Sequence, residues 1–131
     1  MKEHVLIVED DEQQRSFLAL HLENADYKIS SAATGEEALS IYAREKIDLI
    51  LLDLTLPDLD GLEILEQIRR ESKVPILILT ARKSQMDKLI GLGFGASAYL
   101  AKPVDPKEFI LRVGKLLDPN SLEETEPAML F

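Results

Sequence analysis

Short, continuous runs of apolar residues recur along this chain and constrain its fold more than any other feature. Three of them, at 5–8, 49–52 and 76–79, are apolar throughout, which is typical of parallel strands covered on both faces. The run at 27–30 alternates with polar residues and suits a sheet edge, and a shorter run lies at 98–100. Because parallel strands need long crossover connections, this pattern requires helices between the runs.

Segments with helical periodicity do lie between the runs, and most begin at a recognisable cap with an apolar stripe behind it. The predicted helix starts are Thr34 with Glu37, Asp60 with Glu63, Ser84 with Asp87, and Asp105 before Pro106. Strand and helix therefore alternate five times. This alternation predicts an α/β fold, a doubly wound (βα)5 sandwich with right-handed crossovers. We expect a flavodoxin-like, five-stranded parallel sheet in the order 2-1-3-4-5.

Composition excludes several classes of protein. The chain has 131 residues, 46% hydrophobic and 30% charged, as expected of one soluble globular domain. Its net charge of −9 argues against direct nucleic acid binding, and the absence of cysteine excludes disulfides and thiolate chemistry. No apolar segment approaches a membrane span and no signal peptide pattern opens the chain, so we expect a cytoplasmic protein.

The last residues differ from the rest of the chain. Residues 118–131 hold two prolines and four acidic residues without helical periodicity, whereas 1–117 carry the whole α/β pattern. We predict one domain over 1–117 and an acidic, poorly ordered tail or linker stub over 118–131. A linker to a second domain is the alternative, and the apolar stretch at 128–131 is suited to docking on a neighbouring surface.

Acidic residues follow two of the predicted strands. Glu9 and Asp10 follow the first strand, and Asp53 ends the third. In the order 2-1-3-4-5 these strands are neighbours, and their carboxyl ends open onto the crevice where ligands bind. Three carboxylates held close together repel one another, and a hard divalent cation relieves that repulsion. Mg²⁺ suits this site because it takes one or two protein carboxylates, keeps several waters and bridges to phosphate oxygens.

Thr80 and Lys102 follow the fourth and fifth strands and supply a hydroxyl and an ammonium to the same edge. Each residue type alone has an ordinary structural explanation in a turn or loop. Together, however, they favour phosphoryl transfer, with Asp53 as the covalent nucleophile. The only histidines, His4 and His21, lie away from these strand ends and are predicted to be structural.

These motifs resemble the response-regulator receiver domain of two-component signalling, over about residues 3–117. The segments that carry the resemblance are Val8-Glu9-Asp10-Asp11, Leu52-Asp53-Leu54-Thr55-Leu56-Pro57-Asp58-Leu59-Asp60-Gly61, Leu79-Thr80-Ala81 and Tyr99-Leu100-Ala101-Lys102-Pro103. The motifs are specific in combination. The resemblance implies a phosphorylation-dependent signalling switch that accepts a phosphoryl group from a sensor histidine kinase.

The resemblance also implies a role for each residue at the predicted site. Asp53 would be the phosphoacceptor, and Asp10 and Asp53 would bind Mg²⁺ directly. The main-chain carbonyl of Thr55 would be a further ligand, and Glu9 would contribute through a water molecule. Lys102 would pair with the phosphoryl oxygens.

Thr80 and Tyr99 would form the switch that the resemblance implies. Thr80 would move toward the phosphoryl group and Tyr99 would turn inward, altering the face made by the fourth helix, fifth strand and fifth helix. The peptide bond before Pro103 would be cis. Pro57 and Gly61 suit turn and helix-entry positions beside a phosphate.

A receiver of this kind has partners rather than substrates. We expect a sensor histidine kinase and either an effector domain following residue 118 or a partner protein in trans, with no membrane or direct nucleic acid contact. Phosphorylation-linked dimerisation remains an option, although Ser97 and Ala98 stand where dimerising receivers usually carry acidic residues. The chain would not be an enzyme, beyond slow self-catalysed phosphoryl transfer and dephosphorylation.

Other functions remain open at this stage. A haloacid-dehalogenase-type aspartyl-phosphate phosphatase shares the nucleophile and Mg²⁺, but it needs Asp-x-Asp where this chain has Asp53-Leu54-Thr55. A docking module that is never phosphorylated would lack a site residue, and none is missing. A flavodoxin-like electron carrier would need a phosphate-cradling loop of Ser, Thr and Gly after the first strand, which this sequence does not have.

Overall fold

The computed structural model describes residues 2–54, 56–81, 93 and 95–118, which form a parallel sheet with helices on both faces. The strands are β1 His4–Val8, β2 Lys28–Ala32, β3 Leu49–Leu52, β4 Ile76–Thr80 and β5 Ala98–Ala101. The helices are α1 Glu12–Asn24, α2 Gly35–Arg44, α3 Gly61–Arg69 and a C-terminal helix Pro106–Leu117. The helix start predicted at Ser84 with Asp87 lies outside the described residues.

The five strands are all parallel and lie in the order β2-β1-β3-β4-β5, which confirms the predicted topology. Strand β2 is an edge strand, as its alternating polar pattern indicates, and only Ala32 in it is buried. In the centre, Val8 of β1 pairs with Leu52 of β3. The residues that follow this pair therefore emerge side by side at one edge of the sheet.

Two hydrophobic cores flank the sheet because alternate residues of each strand point to opposite faces. Strands β1, β3 and β4 are buried along their whole length, as continuous apolar runs predict. One core lies under α2 and α3 and includes Ile50, Leu52, Ile64, Leu65, Ile78 and Tyr99. The other lies under α1 and the C-terminal helix and includes Leu18, Leu22, Leu51, Leu79, Phe109 and Val113.

Local caps begin the helices where the sequence predicts them. The Thr34 hydroxyl accepts a hydrogen bond from the Glu37 backbone N–H at 3.1 Å, and the Glu37 carboxylate accepts one from the Ala33 N–H at 2.8 Å. The capping box is thus confirmed, although the Glu37 carboxylate bonds to the residue preceding the cap. The other described helices begin with an Asp side chain that accepts from the backbone two residues on, at Asp11, Asp60 and Asp105.

Among the described residues, no helix combines the length and apolar character that crossing a membrane would require. The predicted tail falls almost entirely outside the described residues, since only Asp118 of it is included.

Candidate functional site

Backbone hydrogen bonds extend the sheet by one residue beyond three of its strands and place the predicted site residues at its carboxyl edge. The N–H of Glu9 donates to Ala32 at 3.0 Å, and that of Asp53 donates to Val8 at 3.0 Å. The N–H of Lys102 donates to the carbonyl of Thr80 at 2.9 Å. The site residues are therefore positioned by the rigid sheet rather than by free loops.

Three acidic side chains meet at this edge. Carboxylate oxygens of Glu9, Asp10 and Asp53 all lie within 4.8 Å of one another. Glu9 and Asp53 are 2% and 6% exposed, whereas Asp10 faces solvent. Hard oxygen donors at this separation fit a small divalent cation such as Mg²⁺, with Asp10 on the open side where waters would complete its coordination.

Lys102 brings a single ammonium group into this cluster. Its Nζ donates to Glu9 Oε1 at 2.6 Å and to Asp53 Oδ2 at 3.0 Å. Burial by itself lowers the pKa of Lys102, but the hydrogen bonds to Glu9 and Asp53 outweigh burial and raise the pKa above its ordinary value. The ammonium therefore stays charged at neutral pH and offsets part of the negative charge of the cluster.

Glu9 accepts a hydrogen bond at each of its two carboxylate oxygens. Besides the bond from Lys102, its Oε2 accepts a hydrogen bond from the backbone N–H of Asp11 at 3.2 Å. The pKa of Glu9 is raised from 4.5 to about 7, chiefly by burial; the hydrogen bond from Lys102 lowers it and the charge of Asp53 raises it. A raised pKa is the response expected when burial removes a carboxylate from water and a second carboxylate lies close by.

Arg15 is a contact that sequence reasoning missed. Its Nη1 donates to the main-chain carbonyl of Glu9 at 2.9 Å and to that of Asp10 at 3.2 Å. The side chain reaches back from the first turn of α1 and holds the backbone of the acidic loop. An Arg four residues after the helix cap at Asp11 was the available signal, since a residue there lies one turn above the loop.

Thr80 and Tyr99 lie on adjacent strands and face the same side of the sheet. Thr80 ends β4 and is fully buried, and Tyr99 of β5 is 3% exposed. Tyr99 is paired with Ile78, two residues before Thr80, so both side chains point toward the core under α2 and α3. In this structure the ring of Tyr99 is therefore inward.

Gly61 explains how the loop after Asp53 packs. A Cβ at Gly61 would lie 2.5 Å from Cα of Leu54 and 2.7 Å from the carbonyl oxygen of Asp53. The Gly61 N–H also donates to the Leu54 carbonyl at 2.8 Å. Only glycine allows the start of α3 to lie this close to the backbone of the predicted phosphoacceptor.

The remaining predicted site residues belong to the loop after β3 and to the segment after β5. Pro57 is exposed in the loop between β3 and α3. The peptide bond between Lys102 and Pro103 is cis, which confirms that expectation. Thr55, whose carbonyl is a predicted Mg²⁺ ligand, lies outside the described residues, so its role stays a prediction.

Relatives with similar sequences span more than this chain does. The probable transcriptional regulator ycf27 of Cyanidium caldarium is 43% identical over 114 residues, which cover 87% of this chain and 46% of the relative. The alkaline phosphatase synthesis transcriptional regulatory protein PhoP of Bacillus subtilis is 42% identical over 118 residues, covering 89% of this chain and 49% of the relative. The chain therefore spans about half the length of these curated relatives.

Solved structures of similar proteins share the whole fold. A CheY-like response regulator receiver domain protein from Methanospirillum hungatei has a TM-score of 0.86 and 29% identity, covering 96% of this chain and 100% of that one. The BeF3-activated N-terminal receiver domain of Klebsiella pneumoniae RstA has a TM-score of 0.85 and 33% identity, with coverages of 88% and 98%. The family model of the response regulator receiver domain matches residues 5–114. Together with the fold, this match shows that the chain belongs to the response regulator receiver domain family.

Proposed function

We propose that this chain is a Mg²⁺-dependent phosphoacceptor switch in which Asp53 receives a phosphoryl group from the phosphohistidine of a sensor kinase. The observation that carries the proposal is the meeting of three carboxylates and one ammonium at the carboxyl edge of the sheet. Such a site can hold a cation and an anion side by side, and phosphoryl transfer requires both.

Asp53 is the proposed nucleophile because it follows the central strand β3, belongs to the carboxylate cluster and accepts a hydrogen bond from Lys102. In the transfer, a carboxylate oxygen of Asp53 attacks phosphorus, the P–N bond to the kinase histidine breaks, and the imidazole leaves with the electron pair of that bond. Nζ of Lys102 is 3.0 Å from Oδ2 of Asp53, so a small movement brings the ammonium to an oxygen of the new phosphoryl group.

The acidic residues are suited to the cation. Asp10 and Asp53 would hold Mg²⁺ directly, Glu9 would act through water, and the carbonyl of Thr55 would complete the protein ligands. When bound, Mg²⁺ would neutralise charge on the phosphoryl oxygens as they approach Asp53. Arg15 would keep the main chain at Asp10 in place, because its guanidinium already bonds to that carbonyl.

We propose Thr80 and Tyr99 as the residues that transmit phosphorylation from the site to the surface. Thr80 ends β4 at the carboxyl edge of the sheet, and Tyr99 lies on the neighbouring strand β5. Both side chains face the same side of the sheet. A movement of the Thr80 hydroxyl toward the phosphoryl group would change the space available to the Tyr99 ring. The face expected to respond includes β5 and the C-terminal helix, together with the predicted fourth helix, which lies outside the described residues.

The partners follow from this role. A sensor histidine kinase would donate the phosphoryl group to the receiver domain of residues 1–117. The output would be an effector domain reached through residues 118–131 or a separate protein, in keeping with relatives that are about twice as long and are named as transcriptional regulators. Phosphorylation-linked dimerisation and slow self-catalysed dephosphorylation belong to the same proposal.

Intact mass after incubation with acetyl phosphate and Mg²⁺ tests this function. We expect a single phosphate adduct that is lost in Asp53→Asn and on chelation of Mg²⁺. Asp26→Asn is a matched control, because it changes an exposed Asp in the turn before β2 and should leave the adduct intact. If no adduct forms at any donor concentration, or if Asp53→Asn is phosphorylated as fully as the wild type, the proposal is wrong.

The haloacid dehalogenase alternative gains no support from relatives that are named as transcriptional regulators. It makes a different kinetic prediction, since a phosphatase would hydrolyse p-nitrophenyl phosphate with Mg²⁺ in rapid multiple turnover. We expect no such turnover from this chain.

A further inference from the structure

Asp58 joins the loop that follows Asp53 to the start of α2. Its Oδ1 accepts a hydrogen bond from the Gly35 N–H at 2.8 Å, and its Oδ2 accepts one from the Glu36 N–H at 2.9 Å. The two partners lie 23 and 22 residues away in the sequence. These two backbone donors hold the pKa of Asp58 below its ordinary range. The carboxylate is thus an N-terminal cap that one element supplies to another.

Close packing at the same junction is independent of these hydrogen bonds. A Cβ at Gly35 would lie 2.7 Å from the Cδ1 of Ile64 and 3.0 Å from the Cβ of Leu59. The first residue of α2 therefore lies directly against the loop between β3 and α3 and against α3 itself. The contact is close enough that a larger residue at position 35 would push the loop away.

The base of the loop is closed as well. The Gly61 N–H donates to the Leu54 carbonyl at 2.8 Å, directly after Asp53. The loop is therefore closed between Leu54 and Gly61 at its base, and Asp58 bonds to α2. Asp53 precedes this segment, and Thr55, the predicted carbonyl ligand of Mg²⁺, belongs to it.

We propose that Asp58 is a positioning residue for the phosphoacceptor site, which holds the loop after Asp53 against α2 and thereby presets the main chain for Mg²⁺. The inference rests on the proposed function, since it concerns the same site. Asp58 bonds to α2 and acts through the loop rather than on the reacting atoms. Its contribution should therefore be seen in the affinity for Mg²⁺ and not only in stability.

Asp58→Ala and Thr34→Ala form a matched pair that separates positioning from helix stability. Each removes a side-chain cap from the start of α2, but the Thr34 hydroxyl accepts from Glu37 N–H within α2, whereas Asp58 reaches α2 from the loop. The full-length chain, freed of metal, is titrated with MgCl₂ by calorimetry, and thermal unfolding is followed in parallel. Phosphorylation by acetyl phosphate is measured as a function of Mg²⁺ concentration.

We expect Asp58→Ala to weaken Mg²⁺ binding by about tenfold, as loss of outer-shell support does at other metal sites. The Mg²⁺ concentration for half-maximal phosphorylation should rise by the same factor. Thr34→Ala should lower the melting temperature to a similar extent but leave the Kd for Mg²⁺ unchanged. Asp58→Asn keeps one acceptor oxygen and should recover part of the affinity.

The inference is overturned if Asp58→Ala binds Mg²⁺ as tightly as the wild type, or if Thr34→Ala weakens binding equally. Should Asp58→Ala fail to fold, Asp58→Asn decides the matter by the same two criteria. If the Asp58 variants and Thr34→Ala have the same affinity for Mg²⁺ while the wild type is phosphorylated, the positioning role fails and the proposed function stands. A wild-type chain that neither binds Mg²⁺ nor accepts phosphate overturns both.

Discussion

The two ends of the sheet both bury polar groups, but they balance charge differently. At the amino end, the buried His4 ring has its Nε2 2.8 Å from the Ser30 hydroxyl, and that hydroxyl donates to Glu45 at 2.7 Å. The His4 backbone N–H donates to Asp48 at 2.8 Å. Because the Ser30 hydroxyl uses its hydrogen in the bond to Glu45, Ser30 Oγ accepts a hydrogen bond from Nε2 of His4. Each of these bonds pairs a donor with an acceptor, and the two acids of the network, Glu45 and Asp48, are only half-buried.

At the carboxyl end, three acids lie close together, and the ammonium of Lys102 bonds to two of them, Glu9 and Asp53. Among the residues that the structure describes, this end keeps an excess of negative charge although Glu9 and Asp53 are almost fully buried. Buried polarity alone therefore does not identify a functional site in this fold. Several acidic side chains gathered around one ammonium, two of them almost fully buried, are a stronger indication, because a cation can relieve their repulsion.

The largest expected effect on stability comes from removing the ammonium group of Lys102. Lys102→Met would leave Glu9 and Asp53 buried without their shared donor, so we expect the metal-free protein to lose about 3 kcal/mol of unfolding free energy. Mg²⁺ should restore part of this loss in the variant, because a bound cation stabilises the native state. Urea unfolding with and without Mg²⁺ measures both quantities. An unchanged stability without metal would contradict the charge imbalance.

The dependence of stability on pH is the second test. Because the pKa of Glu9 is raised from 4.5 to about 7, its protonated form stabilises the native state below pH 4.5. That contribution is lost as pH rises through 7, with a slope of at most about 1.4 kcal/mol per pH unit for one proton. We expect Glu9→Gln to flatten the metal-free stability profile between pH 5 and 8. A profile identical to that of the wild type would refute this assignment.

The smallest expected effects on stability come from two single substitutions, one of an Asp at each end of the sheet. Asp10→Asn reduces repulsion at the carboxyl edge and should raise the stability of the metal-free protein by about 1 kcal/mol or less, because Asp10 faces solvent. Asp48→Asn weakens the bond to the His4 N–H and should lower stability by about 0.5 to 1 kcal/mol. Effects of the same sign, measured by thermal or urea unfolding, would mean that the two ends do not differ as described.

The sequence predicts the local features of this fold well, because neighbouring residues control them. Continuous apolar runs predict β1, β3 and β4, and the caps at Thr34 and Asp60 form bonds within a few residues of themselves. Even the gathering of Glu9, Asp10 and Asp53 follows from strand order, since parallel strands bring their carboxyl ends to one edge.

Contacts between distant segments could not be predicted in the same way. Lys102 bonds to Glu9 across 93 residues, and Asp58 caps a helix that begins 23 residues before it. The predicted interaction of Lys102 was with a phosphoryl group, whereas the structure also shows which carboxylates hold the ammonium. Arg15 was missed because its partners are main-chain carbonyls, so that its position one turn after the cap at Asp11 was the one signal available.

By itself the sequence determined the elements, their order and the residue types at the carboxyl edge, because periodicity, capping and strand topology act through short-range rules. Only the tertiary structure decided how charge is distributed there. It buries Glu9, places Lys102 between Glu9 and Asp53, and ties the loop of Asp58 to α2. These outcomes depend on ångström-scale distances between separate segments, and the energy of buried charges changes steeply with such distances.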